Sequence, residues 1–323
     1  MSRRVLSARL LFPITFGFLL AALGFPGCGP GRRQTLVIGC KNFTEQVVLG
    51  EMLAQYLEAK TGLRVERRFF LAGTYISHQA LLAGRIDAYV EYTGTALTAV
   101  LKLPIENDPG KVYDKVKREY ASRYDVEVMN PLGFNDTFAM VIRGDTARRL
   151  NIHKLSEAAP YAPRWRPGFG YEFMERPDGY QGLVQAYHLA FGQPPRIMDL
   201  GLLYRALLEK QVDIVAGNST DGLIAARDLA ILEDDKHYFP PYQAVPMVRR
   251  ETLGRHPAVR EALNQLGGKI SDEEMQRLNY AVDGEHRDVV EVVREFLRAR
   301  HLDQISDKEM RRGSAIAPCR GHE

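Results

Sequence analysis

Cysteine and tryptophan are scarce in this chain of 323 residues, which contains three cysteines and one tryptophan. Cys40 and Cys319 lie near opposite ends of the chain that follows the N-terminal segment, and we expect both thiols to be free. Cys and His residues at the spacing of a metal site are also missing. We therefore expect neither a disulfide framework nor a metal or cofactor.

An excess of charge of one sign is absent as well. The formal net charge of +3 equals the three arginines of the first 27 residues, which contain no acid, so the rest of the chain is neutral. A neutral chain gives no electrostatic basis for nucleic-acid binding. The chain also lacks a Gly-x-Ser-x-Gly elbow and a Walker phosphate loop, which disfavours the alternative of a secreted α/β enzyme.

The apolar run from Leu10 to Leu23 is too short for a comfortable transmembrane span of about 20 residues. With the arginines before it, the run is typical of a signal peptide, and we assign residues 1–27 to one. Gly27 before Cys28 resembles a bacterial lipoprotein cleavage site, so we expect Cys28 to carry a lipid anchor at the membrane. An ordinary signal peptide that is cut nearby is the alternative.

Strand and helix signals alternate in the rest of the chain. Residues 35–39 are predicted to form a strand, and a helix follows it with Asn42 as N-cap, Glu45 as capping-box partner and Gly62 at its C-terminal end. The alternation restarts between residues 143 and 237. Strands that alternate with helices indicate α/β units around parallel sheets.

The stretch Ala80 to Thr95, which begins Ala-Leu-Leu, organises the rest of the prediction. Residues 86–90 are predicted to form a strand, which Glu91-Tyr92-Thr93-Gly94-Thr95 follows. Ligands in open α/β sheets bind beyond the carboxyl ends of strands. Tyr92 and Thr95 are therefore the first candidates for a binding cleft.

A partial copy of this stretch begins at Ala206. Aligned on Ala-Leu-Leu, Asp213 matches Asp87 and Asn218 matches Tyr92. Two facing α/β lobes would produce such a copy and would offer Tyr92 and Asn218 to one cleft. The alternative is that helix–turn–strand units look alike without any such correspondence.

Six motifs in a fixed order resemble those of the substrate-binding proteins of ABC importers for glycine betaine, choline and related quaternary amines. The resemblance covers about residues 34–305. The motifs are Ile38-Gly39-Cys40-Lys41-Asn42-Phe43-Thr44-Glu45-Gln46, Glu91-Tyr92-Thr93-Gly94-Thr95, Gly133-Phe134-Asn135-Asp136-Thr137-Phe138, Arg176 with Asp178-Gly179-Tyr180, Asn218-Ser219-Thr220-Asp221-Gly222 and Phe239-Pro240-Pro241-Tyr242.

The resemblance implies an α/β, two-lobed type II periplasmic-binding-protein fold with two crossovers between the lobes. Residues 34–138 and 243–305 would form lobe 1 and residues 139–242 lobe 2, with crossings near 136–142 and 238–246. Residues 306–323 would be a disordered tail. The protein would be a monomer in the periplasm or on the extracellular face of the membrane, and its partner would be an ABC permease.

The same resemblance implies an aromatic cage for a small quaternary amine. Tyr92, Phe138 and Tyr242 would be walls of the cage. Phe138 falls where the family usually has an aromatic residue, two positions after an Asp or Asn that Asp136 matches here. Asn218 departs from the pattern, because the family commonly has Tyr there. One wall is therefore missing, is supplied by a nearby aromatic residue, or is replaced by an amide for a different ligand.

Lys41, Thr95 and Arg176 match family positions that would hold the carboxylate of a betaine. A Lys at a helix N-terminus favours an anion, and Arg can hold a carboxylate with two hydrogen bonds. Choline would make no use of these charges, so they favour a carboxylated ligand. Each residue also has an ordinary structural alternative, such as a core tyrosine at Tyr92 or a surface ion pair at Arg176. A module that senses another amine or an amino acid is the alternative function.

Overall fold

The computed structural model describes residues 35–304. The predicted leader, Cys28, Cys319 and the predicted tail lie outside the described residues. Cys40 is a buried free thiol, and burial raises its pKa to about 12. Within residues 35–304, no helix is both long enough and apolar enough to cross a bilayer.

The first part of the chain forms, in order, β1 (Thr35–Gly39), α1 (Thr44–Thr61), β2 (Arg64–Arg68), α2 (Thr74–Leu82), β3 (Ala88–Tyr92), α3 (Thr93–Thr95), a π-helix (Ala96–Val100), α4 (Pro109–Tyr124) and β4 (Val126–Val128). These four strands and a later one, β10 (Ala244–Arg249), form the first sheet, whose strand order is β2-β1-β3-β10-β4. β1 pairs in parallel with β2 and β3, whereas β10 runs antiparallel to β3 and β4.

The middle part of the chain forms β5 (Phe138–Arg143), α5 (Gly144–Leu150), two 3-10 turns (Leu155–Ala158 and Ala162–Arg164), β6 (Pro167–Phe169), α6 (Tyr171–Glu175), α7 (Tyr180–Tyr187), β7 (Arg196–Ile197), α8 (Leu200–Leu208), β8 (Ile214–Asn218), α9 (Gly222–Ala226) and β9 (Leu229–Leu232). These strands form the second sheet, which repeats the plan of the first with the order β7-β6-β8-β5-β9. β6 pairs in parallel with β7 and β8, whereas β5 runs antiparallel to β8 and β9.

The chain crosses between the sheets twice, between β4 and β5 and between β9 and the next strand. β5 and β10 are the strands that follow the crossings, and each runs against its sheet because the chain enters from the opposite end. Returning to the first sheet, the chain forms β10 (Ala244–Arg249), α10 (Arg250–Arg255), α11 (Pro257–Leu266), α12 (Asp272–Asp283) and α13 (Val289–Ala299). We call each sheet with its helices a lobe.

Helices cover both faces of the first sheet, so β3 is buried along its whole length. Ala88 and Val90 pack in the cluster that contains α1, and Tyr89 packs with α4 in a second cluster on the other face. Strands buried on both faces read as continuous apolar runs. This explains why β3 lacks the alternation of a half-exposed strand.

The two central strands are built alike. The Asp87 N–H donates to the Val37 carbonyl, and the Asp87 carboxylate accepts from the Val37 N–H at 2.9 Å. Asp213 makes the same pair of bonds with Arg166, and its carboxylate accepts from the Arg166 N–H at 3.0 Å. The correspondence that the sequence suggests between the two stretches therefore has a counterpart in the hydrogen bonding.

Several local predictions need correction. Asn42 is not the N-cap of α1, since that position is Phe43 and no side chain caps it. The strand predicted at 86–90 is Ala88–Tyr92, so Tyr92 ends the strand rather than following it. The predicted Gly62 terminus of α1 is confirmed, with φ 68°.

Candidate functional site

A cavity of about 780 Å³ lies between the two lobes. This volume is within the range of small-molecule sites. The carboxyl ends of β1 and β3 in the first lobe and of β6 and β8 in the second lobe open into it. The lining includes all eight residues that the sequence predicts, namely Lys41, Tyr92, Thr95, Asp136, Phe138, Arg176, Asn218 and Tyr242.

Aromatic rings cluster on one side of the cavity. The Phe138 ring meets the ring of Tyr242 edge-on with centroids 5.6 Å apart, and that of Phe173 with centroids 4.9 Å apart. The Phe239 ring centroid lies 5.6 Å from that of Phe138, although Phe239 itself does not line the cavity. The sequence gives no sign of this contact, which joins residues about 100 positions apart.

Arg176 is buried against this cluster. Its guanidinium carbon lies 4.9 Å from the ring centroid of Phe138 and 5.5 Å from that of Tyr242. Its Nε and Nη2 donate to the two oxygens of Asp178, and its Nη1 donates to Thr95 Oγ1 at 2.9 Å. These bonds occupy three of the five N–H donors of the guanidinium. The surface ion pair considered from the sequence is thus a buried one.

Asp178 has no solvent exposure and is held as a carboxylate by its partners. Burial opposes ionisation, but the charge and hydrogen bonds of Arg176 outweigh it, and the pKa of Asp178 lies below its usual range. The Tyr242 hydroxyl also donates to Asp178 at 2.5 Å. The pair therefore fixes both the guanidinium and the ring of Tyr242.

Tyr92 ends β3 in the first lobe and lines the cavity. Its hydroxyl donates to Glu45 at 2.7 Å, and its ring stacks on Phe43 with centroids 6.5 Å apart. Lys41 Nζ lies 5.1 Å from the same ring centroid and donates to the buried Glu91 at 2.5 Å. Lys41 is 3% exposed, so it is not a solvated helix-start residue.

Asn218 ends β8 and pairs with Phe138 in the sheet. Its backbone N–H donates to Asp221 at 2.9 Å, and the residue lines the cavity. Among the aromatic residues that could replace the missing ring, Tyr171 and Phe173 also line the cavity. Tyr180 instead packs against Phe169 and Phe191.

Buried carboxyl groups join the two lobes beside the cavity. Thr220 Oγ1 lies 2.5 Å from Glu45 Oε2 and 2.8 Å from Asp136 Oδ1. A hydroxyl has only one proton to donate, so one of the two carboxyl groups must donate a proton to Thr220. Burial raises the pKa of Asp136 well above its usual value, and the charges of Glu45 and Asp221 add to this effect. Burial also raises the pKa of Glu45.

Asp221 belongs to the same acidic region, and burial raises its pKa to about 7 from its usual 3.8. The folded protein therefore keeps a proton on Asp221 that the unfolded chain has lost above pH 4. Stability must fall as the pH rises from about 4 to about 7, by up to about 1.4 kcal/mol per pH unit for this group.

Asp221→Asn is expected to reduce this pH dependence, because an amide stays neutral. Urea unfolding at pH 5 and pH 8 would measure it, with Asp114→Asn on the exposed face of α4 as the matched control. The wild-type protein and the control should lose more stability over this interval than Asp221→Asn does. Equal losses in all three proteins would show that Asp221 carries no proton in the folded state.

Gly94 makes room for the Tyr242 ring. A Cβ at position 94 would lie 2.6 Å from Tyr242 Cδ1 and 2.8 Å from the Pro241 carbonyl oxygen. The backbone must therefore approach a ring closely at this position.

Gly94→Ala is expected to lower the free energy of unfolding by about 1–3 kcal/mol, because the ring and the Pro241 backbone must both move. Gly254→Ala in α10 is the control, since nothing lies within 4 Å of its added Cβ. Urea unfolding of both variants gives the comparison. A Gly94→Ala variant as stable as Gly254→Ala would contradict the close approach.

The lobes touch across the cavity. Glu172 of the second lobe accepts from the backbone N–H and the hydroxyl of Thr74 in the first lobe, at 2.6 and 3.2 Å. The hydrogen bond from Arg176 to Thr95 also joins the two lobes, as the contact between Glu45 and Thr220 does beside the cavity. Two α/β lobes with two crossings that meet around a ligand-sized cavity define a type II periplasmic binding protein.

Comparisons with known proteins agree with this class. Residues 34–299 match the family described as the substrate binding domain of ABC-type glycine betaine transport system. The chain is 35% identical over 302 residues to the carnitine transport binding protein OpuCC of Listeria monocytogenes, covering 92% of this chain and 97% of OpuCC. It is 34% identical over 293 residues to a glycine-betaine-binding protein of Pseudomonas aeruginosa, covering 88% and 93%.

A solved structure shares the fold as well. The crystal structure of a glycine betaine/carnitine/choline ABC transporter component aligns with a TM-score of 0.71 and 34% identity, over 83% of this chain and all of that one. The chain therefore belongs to the family of substrate-binding domains of ABC-type glycine betaine transport systems. It is a substrate-binding protein and not an enzyme. Proteins of this kind act outside the cytoplasm and deliver a small ligand to a permease.

Proposed function

We propose that the cavity binds a glycine betaine-like quaternary amine between the rings of Tyr92, Phe138 and Tyr242. The observation that supports this most directly is the position of the Arg176 guanidinium over two of these rings. The ring faces of the cluster already accept a cation from the protein itself. A trimethylammonium group on the cavity side would make the same kind of contact.

The chemistry of a quaternary ammonium fits a ring-lined site. Such a group has no N–H to donate, so hydrogen bonds cannot select it. Each ring face attracts the cation by roughly 0.5–2 kcal/mol, depending on how far water is excluded. Burial of the methyl groups adds to this attraction.

The charges of the site favour a zwitterion over a simple cation. Lys41 pairs with Glu91, and Arg176 pairs with Asp178, so both cations are compensated within the protein. A ligand that carries one positive and one negative group adds no net charge to this arrangement. We infer that Arg176, Thr95 and Lys41 hold the carboxylate through the donors that remain free of these pairs.

Asn218 replaces one ring of the cage and sets a preference among betaines. Asn218→Tyr is expected to tighten binding of glycine betaine about tenfold by adding a ring face. Calorimetric titration of both proteins measures the change, and their unfolding curves show whether stability is matched. Weaker binding by the variant would show that the amide serves a polar group of a different ligand.

The same proposal covers the division into lobes, the attachment to the membrane and the oligomeric state. Residues 34–138 with 243–305 and residues 139–242 are the two lobes that close on the ligand, and the sheet membership of β1–β10 supports this division. Cys28 anchors the protein to the membrane by a lipid, on the side from which the permease receives the ligand, and the protein acts as a monomer.

A thermal-shift screen of glycine betaine, choline, carnitine, proline betaine and ectoine tests the function. A ligand stabilises the folded state by RT ln(1 + [L]/Kd), so the cognate betaine at 100 times its Kd adds about 2.7 kcal/mol. We expect a carboxylated quaternary amine to give the largest shift. No shift with any of these compounds, and a shift with ordinary amino acids, would point to a sensing module for another ligand.

A further inference from the structure

The cavity extends beyond the rings to the outer strands of both sheets. Tyr92 and Asn218 end β3 and β8, whereas Ala72–Gly73 and Met198–Leu202 follow β2 and β7. β2 and β7 each lie two strands away from β3 and β8 in their sheets. Neighbouring strands are about 4.8 Å apart, so the ends of β2 and β7 lie roughly 10 Å from those of β3 and β8, where Tyr92 and Asn218 are placed. A betaine of a few atoms that is held at the rings leaves this end open.

The outer end is apolar, although it faces water. Tyr171, Leu200 and Leu202 line it and are 61%, 41% and 50% exposed. The buried face of α8 is formed by other residues, Leu203, Tyr204, Ala206 and Leu207. Leu200 and Leu202 are therefore not needed for the core of the lobe. Exposed apolar side chains that gather at one cavity mark a binding surface.

The charged groups at this end are both acidic. Glu172 accepts from Thr74, and Asp199 is exposed at the start of α8. Two acids disfavour a second carboxylate on the ligand, whereas an uncharged apolar group can cover Leu200 and Leu202. The outer end is thus complementary to a hydrocarbon tail rather than to a second polar head.

We propose that the cavity also accepts quaternary betaines that carry an apolar substituent, such as the short-chain acyl esters of a hydroxylated betaine. The head lies at the rings, and the acyl chain lies along Met198, Leu200 and Leu202. This inference rests on the proposed function, because the rings must first hold the quaternary ammonium.

Calorimetric titration of the full-length protein with carnitine, acetylcarnitine and butyrylcarnitine tests the proposal. Full burial of a methylene is worth up to about fourfold in affinity, so butyrylcarnitine should bind about tenfold more tightly than acetylcarnitine. Equal or falling affinity along the series would overturn the proposal. If carnitine and glycine betaine bind but the esters gain nothing, only this inference fails. If no quaternary amine binds, the proposed function itself fails.

A matched pair of variants locates the tail. Leu202→Gln should lower the affinity ratio of butyrylcarnitine to carnitine at least fivefold. Leu208→Gln changes a leucine of the same helix that is 41% exposed and does not line the cavity, and it should leave the ratio unchanged. An unchanged ratio in Leu202→Gln, with loss of uptake in cells, would assign the apolar surface to the permease and overturn the proposal.

Discussion

Replacing Arg176 with methionine is expected to lower the free energy of unfolding by about 3–5 kcal/mol, because Asp178 is left as a buried charge without its partner. For a chain of this size, that corresponds to a fall in Tm of roughly 5–8 °C. Thermal unfolding at pH 7 measures it. The loss should be smaller at acid pH, where Asp178 can take up a proton.

The double variant Arg176→Met/Asp178→Asn separates the structural role of Arg176 from its role towards the ligand. Removing both charges should restore most of the stability, since no buried charge is left unpaired. Affinity for glycine betaine should still be at least a hundredfold below that of the wild-type protein, because the carboxylate has lost its guanidinium. Wild-type affinity in a stable double variant would rule out Arg176 as the carboxylate ligand.

Tyr242→Leu is expected to weaken glycine betaine binding about tenfold, because leucine fills much of the space but offers no ring face to the cation. Truncation to alanine is less informative, since it would remove a buried ring at a cost of about 3–5 kcal/mol. Tyr242→Phe keeps the ring and loses the hydrogen bond to Asp178. Its affinity should stay within about threefold of wild type.

Tyr120→Leu is the matched control for the ring variants, because Tyr120 is buried in the cluster around α4 and does not line the cavity. It should lower stability without changing affinity. Titration calorimetry gives the affinity of Tyr242→Leu, Tyr242→Phe and Tyr120→Leu, and unfolding curves give their stability. Equal affinities for Tyr242→Leu and Tyr242→Phe would mean that the ring of Tyr242 contributes no attraction for the cation.

The predicted residues line one cavity because their positions follow from strand ends. Tyr92 and Asn218 lie at the carboxyl ends of β3 and β8, and the matched Asp87 and Asp213 fix these strands in the same way. Once strand and helix alternate, the carboxyl ends of parallel strands share one edge. The cavity between the lobes then gathers residues that are far apart in the chain.

Side-chain contacts inside the site could not be predicted from the sequence, because they join residues that are far apart in the chain. Glu45 resembles a capping-box residue, yet its carboxyl group contacts Tyr92 and Thr220, 47 and 175 positions away. The capping interpretation was local and therefore wrong. Gly94 likewise gives no sign in the sequence that a ring lies against its backbone.

Short helices and strands were also difficult to predict from the sequence. The helix Tyr180–Tyr187 ends at His188 with φ 54°, where sequence rules expect glycine. β6 has three residues, Pro167–Phe169, and a Pro-Gly pair gives no strand signal. Its neighbours in the sheet, β7 and β8, stabilise it.

The central claim is that ring faces select a fully methylated ammonium group. Calorimetric titration with glycine betaine and dimethylglycine tests this most directly, since the two share a carboxylate and differ by one methyl group. The ammonium N–H of dimethylglycine loses its hydrogen bond to water when it is buried against rings, which costs about 1–3 kcal/mol. The account predicts that glycine betaine binds at least tenfold more tightly. Equal or tighter binding of dimethylglycine would contradict it.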